Sequence, residues 1–389
     1  FWSLSGAVIS RGLGLVSSIL VARMLGKVGF GELGIIQSTV GLFGTFAGFG
    51  LGLTATKYVA EFRIKDPARA GRIIGLSSLV SWITGGIMSV LLVFSGPWLA
   101  THTLAAPHLG GVLQVGSLLL LLGAINGAQT GALAGFEAFK RLAHINLVAG
   151  IAAFLLMVGG AWWRGLEGAV LGLVLSHAFN CLLNYAGLRA EAHRTGVPLV
   201  WAGSSSESSV LWSFSLPAVG SGLMVTPVYW LCNTMLVNSP GGYGQMGLFN
   251  AANQWFGALL FLPETLGRVV LPVLSETIGK NEHANSRKVL AYYIKLNAAV
   301  AAPVLLLGCV ASSFIMTSYG PGFAEGWPIL IVVLITAAFL AIQGPVGHVI
   351  AASGRMWLGS MMNLGWAACF IFSTWLFIDW GAFDLANAR

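Results

Sequence analysis

The chain has 389 residues, of which 56% are hydrophobic and only 8% charged, with a mean hydropathy of +0.82. A water-soluble globular protein carries roughly 25% charged residues, so these values exclude a soluble domain and point to an all-α polytopic membrane protein. The formal net charge of +7 is spread over short connections between apolar runs, which argues for topology-setting charge and against a nucleic-acid-binding surface.

A membrane helix needs about 20 mostly apolar residues. On that measure the chain is read as spans near 1–22, 33–56, 72–99, 110–135, 142–163 and 166–189. A polar segment at 190–208 follows, and then spans near 209–237, 244–272, 289–316, 327–353 and 357–378. That makes eleven. The tail from Trp380 to Arg389 parallels Gly165-Leu166-Glu167-Gly168 at the start of the sixth span, and is read as the start of a twelfth helix.

The second half repeats the first. Gly29-Phe30-Gly31-Glu32-Leu33-Gly34 is answered by Gly242-Tyr243-Gly244-Gln245-Met246-Gly247, and Phe43-Gly44 by Phe256-Gly257 at the same offset. Ala124-Ile125-Asn126-Gly127 is echoed by Ala341-Ile342-Gln343-Gly344. Six spans separate the copies, an even number, so the repeats run parallel and not inverted. The expected organisation is therefore an N-terminal six-helix bundle over 1–189 and a linker over 190–208. A C-terminal bundle over 209–389 follows, with five helices and the start of a sixth.

Arg63, Lys65, Arg69, Arg72, Lys140, Arg141, Arg189, Arg194, Lys280, Arg287, Lys288 and Arg355 fall in the even-numbered connections. The opposite side holds Arg23, Lys27 and Arg164, plus Arg389 at the tail. The excess places the even connections, the 190–208 linker and the N-terminus in the cytoplasm.

Polar groups inside the spans are the candidate functional residues, because charge at membrane depth is costly and usually faces protein or water. Arg11 lies on a face of the first span with Ser3, Ala7, Gly14 and Ser18, opposite Ile9, Leu13, Val16 and Leu20. In the eighth span Asn250, Gln254, Gly257, Phe261, Glu264 and Arg268 step by three or four along one stripe, with Asn253 beside it. Leu248, Trp255, Leu259, Leu262 and Leu266 cover the other side. Glu264 precedes Arg268 by four residues, the favourable order for a helix ion pair. Such a stripe is either a packing seam ending in a salt bridge or a wet wall that offers amides to sugar hydroxyls and a guanidinium to phosphate. Lys57 is either a second cation of this kind or a headgroup snorkeller.

His177 and Asn180 share a face of the sixth span with Asn184, either as an interhelical hydrogen-bond network or as part of a ligand site. Glycines recur every four residues at Gly44, Gly48 and Gly52 and from Gly123 to Gly135, as close helix packing requires. Pro217, Pro227, Pro263, Pro303 and Pro345 are placed to kink helices of the second half. Cys181, Cys232, Cys309 and Cys369 lack disulfide or metal spacing and read as small core residues. No phosphate loop or metal cluster is evident, so no catalytic residue, metal or cofactor is expected.

Val21-Ala22-Arg23-Met24-Leu25-Gly26, followed by Gly29-Phe30-Gly31 and a long span ending Lys57-Tyr58-Val59-Ala60-Glu61, resembles the oligosaccharide flippases of the polysaccharide transporter family. These share a superfamily with multidrug exporters of the MATE type and with lipid II flippases. The resemblance implies two six-helix bundles around a central V-shaped cavity that opens alternately to each side. It implies a non-enzymatic transporter of the bacterial inner membrane that moves undecaprenyl-pyrophosphate-linked oligosaccharide units, with membrane lipids and glycan polymerase or assembly proteins as partners. Arg11 and Arg268 match the intramembrane cations of that family. Two alternatives stay open, a multidrug cation exporter and a membrane-embedded glycan polymerase. Na⁺, H⁺ and membrane potential are equally open as driving forces.

Overall fold

A computed structural model describes residues 2–199, 204–208, 210, 225–279, 283–352 and 356–379. Among these the regular elements are all helical. The long helices are α1 (Trp2–Gly48), α2 (Leu51–Lys65), α3 (Pro67–Trp98), α5 (Leu118–Gly135), α6 (Phe139–Thr195), α8 (Gly242–Gly279), α9 (His283–Val310), α11 (Trp327–Ala352) and α12 (Met356–Asp379), with shorter α4 (Gly110–Gly116), α7 (Thr226–Val237) and α10 (Ser312–Ser318). Seven described stretches are long and apolar enough to cross a membrane. Two of them, Val8–Lys65 with 58 residues and Phe139–Thr195 with 57, are each long enough for two crossings at about 1.5 Å per residue. The protein is an all-α polytopic membrane protein. The expected twelfth helix and Pro217 fall outside the described residues.

Backbone breaks subdivide the longest helices. Gly26 interrupts α1 with a positive φ of 70°, four residues past the end expected for the first span. In α6, Arg164 and Gly165 (φ 58°) reverse the chain, and the glycines on either side let the two arms touch: a Cβ on Gly168 would strike the carbonyl of Gly160. The apolar run expected as one span over 33–56 is instead broken, because Phe49 (φ 43°) and Gly50 (φ 62°) turn the chain between α1 and α2. Pro227 does not kink a span either. It occupies the first turn of α7, where its missing N–H costs nothing. Pro303 and Pro345 do lie inside helices, in α9 and α11.

The chain divides into two compact units, one of residues 1–25 and 32–242, the other of 26–31 and 243–389. This division by contact differs from the 1–189, 190–208 and 209–389 division by repeat, because residues through Gly242 belong with the first unit and the 26–31 segment with the second.

In the first unit α5 is the central element. It packs against α2, α3 and α6, and an apolar 18-residue run within Pro107–Gly135 has 56% of its residues buried, more than the corresponding run of any other candidate span among the described residues. Its contacts are close because small residues face each other. A Cβ on Gly131 would overlap the Gly52 carbonyl, and Thr56 Oγ1 donates to the Gly131 carbonyl at 3.1 Å. Outside this core the helices present bare hydrocarbon, as at Ile87, Val90 and Phe94 of α3 and Leu155 and Trp162 of α6. A bilayer supplies the solvent for such a surface.

The described residues on either side of 200–203 meet α3 at Pro198 and Glu207. α6 continues to Thr195, beyond the expected end at 189, and the Pro198 carbonyl then sits over Gly71. The nearly buried Glu207 takes Arg69 Nε at 3.0 Å on one oxygen and Arg72 at 3.2 Å on the other. Asp66 caps α3 by accepting from the Arg69 N–H at 2.9 Å. Glu207→Ala is expected to speed proteolysis within 196–208 roughly tenfold, because one carboxylate holds two guanidinium groups there. Unchanged cleavage would show that the Pro198 contact alone holds the segment.

In the second unit the two copies of the repeated glycine motif pack on each other. A Cβ on Gly31 would strike the Tyr243 carbonyl, and one on Gly247 the Lys27 carbonyl. Phe30, in the first copy, is buried against the rings of Tyr319 and Phe323, with centroids 6.3 and 6.1 Å away. Lys27 Nζ reaches Glu325 Oε1 at 2.6 Å across the exposed edge of this contact. The glycines recur because each copy must let the other's backbone approach.

Candidate functional site

The candidate residues fall into three groups. The first is Arg11, which is exposed on α1. Its stripe continues through Ser18 and Ala22, and both are buried, so the polar face turns into protein as the helix approaches Gly26. Ser10, next to Arg11, abuts Gly150 of α6, where a Cβ would lie 2.7 Å from Ser10 Oγ.

The second group is the α8 stripe. Asn250 is buried, and its Nδ2 donates to the Phe30 carbonyl at 3.3 Å, so this amide is committed to the glycine crossing. Gln254 is half-buried, while Asn253 and Glu264 are exposed. The side chain of Arg268 lies outside the described residues. On the opposite side of α8, Leu248 and Leu259 are buried and Leu262 is exposed. Trp255 donates from Nε1 to the Tyr319 hydroxyl at 3.2 Å, which ties α8 to the aromatic cluster around Phe30.

The third group lies between α5 and α6. Asn126 Nδ2 donates to the His177 carbonyl at 3.1 Å. Asn184 Nδ2 donates to Asn126 Oδ1 at 3.1 Å and to Asn180 Oδ1 at 3.2 Å. His177 Nδ1 is 3.0 Å from the Leu173 carbonyl one turn back, which fixes the proton on that nitrogen. The His177 backbone carbonyl and the Asn184 amide thus hold α6 to α5, while the His177 ring and the Asn180 amide bond within α6 itself. Lys57 is exposed, with Nζ 4.8 Å over the ring of the neighbouring Tyr58.

Two acids in the basic connections have structural roles that their spacing does not reveal. Glu207 binds Arg69 and Arg72, and the buried Glu191 binds Arg141 Nε at 2.8 Å and Arg194 Nε at 2.7 Å. Glu191 stands among Arg189, His193 and Arg194, whereas Glu207 stands among serines and gives no sequence signal of its partners. Of the cysteines, Cys232 is buried, Cys181 and Cys309 are half-buried and Cys369 is exposed, so the last is not a core residue. No group of three or more metal-ligating side chains occurs among the described residues.

Three relatives cover nearly all of the chain. One, from Ralstonia nicotianae, is named "EPS I polysaccharide export inner membrane protein EpsE" and is 25% identical over 97% of this chain and 86% of its own length. "Lipid III flippase" of Escherichia coli is 21% identical over 100% of this chain and 92% of its own. "Lipopolysaccharide biosynthesis protein WzxC" of the same species is 24% identical over 97% and 72%. Among solved structures, an inward-facing multidrug resistance MATE family transporter of the MOP superfamily superposes with a TM-score of 0.73 at 17% identity. It covers 96% of this chain and 87% of its own. A MOP superfamily transporter from Pyrococcus furiosus gives 0.65 at 16% identity over 96% and 87%. These superpositions show the fold of that superfamily. The polysaccharide biosynthesis protein family matches residues 1–278, well over half the chain, and this multi-pass membrane protein belongs to that family.

Proposed function

We propose that the chain is a flippase that carries a lipid-linked oligosaccharide across the bacterial cytoplasmic membrane by alternating access. The cargo is an undecaprenyl-pyrophosphate-linked repeat unit of O antigen, capsule or exopolysaccharide. The observation that carries this reading is the family match over residues 1–278, together with full-length relatives named for polysaccharide export and lipid III flipping. The residues fit the cargo's chemistry. A pyrophosphate calls for cations, offered by Arg11 in one unit and Arg268 in the other, and a hydrated glycan calls for amides, offered by Asn253 and Gln254. Lys57, Asn250, His177 and Asn180 are already committed to protein contacts and take supporting parts.

A multidrug cation exporter shares the fold, but the evidence for it is structural likeness alone, and Glu264 is the one acid well inside a span expected from the sequence. Expression in a strain lacking its own flippase tests the proposal by the return of the matching glycan to the cell surface. Gain of resistance to cationic dyes with no surface glycan would reverse the choice.

The orientation is testable separately. In a chain freed of its native cysteines, Ser208→Cys and Asn285→Cys are expected to react only with reagents that reach the cytoplasm, because Lys and Arg crowd the connections that hold both positions. Labelling of either by an impermeant external reagent in intact cells would invert the topology.

A further inference from the structure

A crevice of about 590 Å³ lies entirely within the first unit, walled by α3, α5 and the second arm of α6. Its volume is within the roughly 300–1,000 Å³ usual for a small-molecule site. Trp82, Leu122 and Leu182 line one stretch, and Gln129, Tyr185 and Leu199 another. Two hydrogen bonds set the register of its walls. Cys181 Sγ reaches the Leu122 carbonyl at 3.4 Å, and Asn184 Nδ2 reaches Thr130 Oγ1 at 3.4 Å. Leu122 therefore marks the deep end, and Gln129 the end nearest the 190–208 segment, level with Tyr185.

The two ends differ in chemistry. The deep end is lined by hydrocarbon, the Trp82 indole and the Cys181 thiol, which is turned to the Leu122 carbonyl, so neither water nor sugar gains much by filling it. At the other end Gln129 is only 8% exposed, and its Oε1 has no hydrogen-bond partner. That oxygen is closed to an occupant, whereas Tyr185, a lining side chain that is 51% exposed, presents its hydroxyl at this end. One turn further out, Arg189 is exposed on the same α6 stripe as Leu182 and Tyr185, at seven and four residues' distance. The crevice is thus apolar at its inner end, hydrogen-bonding at its mouth and positively charged just outside.

We propose that this crevice binds one anionic phospholipid with a hydroxyl-bearing headgroup, drawn from the leaflet on the side of the 190–208 segment. An acyl chain lies along Leu182 toward Leu122, the phosphate faces Arg189, and a headgroup hydroxyl meets the Tyr185 hydroxyl. A phosphatidylglycerol meets all three demands. The site is separate from the transport reading, since none of the residues assigned to cargo lines it.

The test uses the full chain in nanodiscs of phosphatidylethanolamine doped with a phosphatidylglycerol carrying a diazirine midway along one acyl chain. After irradiation, peptides holding Leu122 and Leu182 are expected to carry more label than those holding Phe94 and Leu155, which are 80% and 61% exposed on the same unit. Arg189→Glu should reduce the crevice label roughly fivefold while Arg189→Lys keeps most of it, as expected for one surface cation near a phosphate. Ala178→Trp, which puts an indole into the crevice, should remove the label. Uniform labelling of crevice and control peptides overturns the proposal. So does labelling indifferent to Arg189→Glu, which stands as a test even where Ala178→Trp perturbs folding. Displacement of the label by undecaprenyl pyrophosphate but not by unlabelled phosphatidylglycerol would make the crevice a cargo-tail site and would equally overturn it.

Discussion

Arg11→Ala and Arg268→Ala are each expected to reduce glycan export by roughly ten- to hundredfold, with expression and membrane insertion near normal. The size follows from losing one charge-assisted contact to a phosphate, about 1.5–3 kcal/mol. Arg11 has the surroundings for this role, since it is exposed while the residues that continue its stripe, Ser18 and Ala22, are buried. Lysine at either position should restore activity in part, because it keeps the charge and loses the two-pronged geometry. Glu264→Gln separates two roles for the exposed carboxylate on α8. If it only orients Arg268 one turn away, export falls mildly. If it carries a coupling proton, export stops. Export is scored as surface glycan in a flippase-deficient strain, with protein level measured alongside. Full activity of both alanine variants would remove these arginines from the cargo path and leave the family match as the support for function.

How much of this was legible in the sequence depends on the scale of the interaction. Hydropathy is a sum over many residues, so the apolar stretches and the membrane class were visible at once. The repeat was visible too, and the structure supplies its physical reason: Gly31 and Gly247 pack backbone to backbone within one unit. Backbone conformation was not visible. Phe49 and Gly50 turn the chain inside a run that stays apolar on both sides, so nothing in a hydropathy profile marks the break. Long-range polar pairing was hidden as well. Asn250 meets the Phe30 carbonyl 220 residues away, and Glu207 meets Arg72 at 135. Helical periodicity tells which residues share a face but not which face is turned inward. In a bilayer both the core and the exterior are apolar, so buried Leu259 and exposed Leu262 look alike in the sequence. That is why the polar stripe of α8 could be drawn from spacing, while its partners could not.

The glycine ladder of α5 shows the same limit and yields the sharpest stability prediction. Gly123, Gly127, Gly131 and Gly135 are equivalent by spacing, yet their surroundings differ. A Cβ on Gly123 or Gly127 would meet nothing within 4 Å. One on Gly131 would strike the Gly52 carbonyl, with the Gly52 Cα 2.7 Å away, and one on Gly135 would lie 2.7 Å from the Val59 Cβ. Both obstacles belong to α2, and that contact cannot yield easily, because Thr56 Oγ1 is bonded to the Gly131 carbonyl across it and Leu51, Ala55 and Val59 are fully buried behind it. Gly127→Ala is therefore expected to be neutral or to raise stability by about 0.5–1 kcal/mol, since it removes a helix-interior glycine without creating a clash. Gly131→Val should force α2 from α5 and cost several times as much, on the order of 3 kcal/mol or more, enough to deplete folded protein from the membrane. Thermal unfolding in detergent, read beside the yield of monodisperse protein, compares the two. Equal loss at both positions would mean that helix flexibility, and not close packing, is what the glycines supply. Tolerance of Gly131→Val with wild-type stability would show that α2 and α5 do not cross at Gly52.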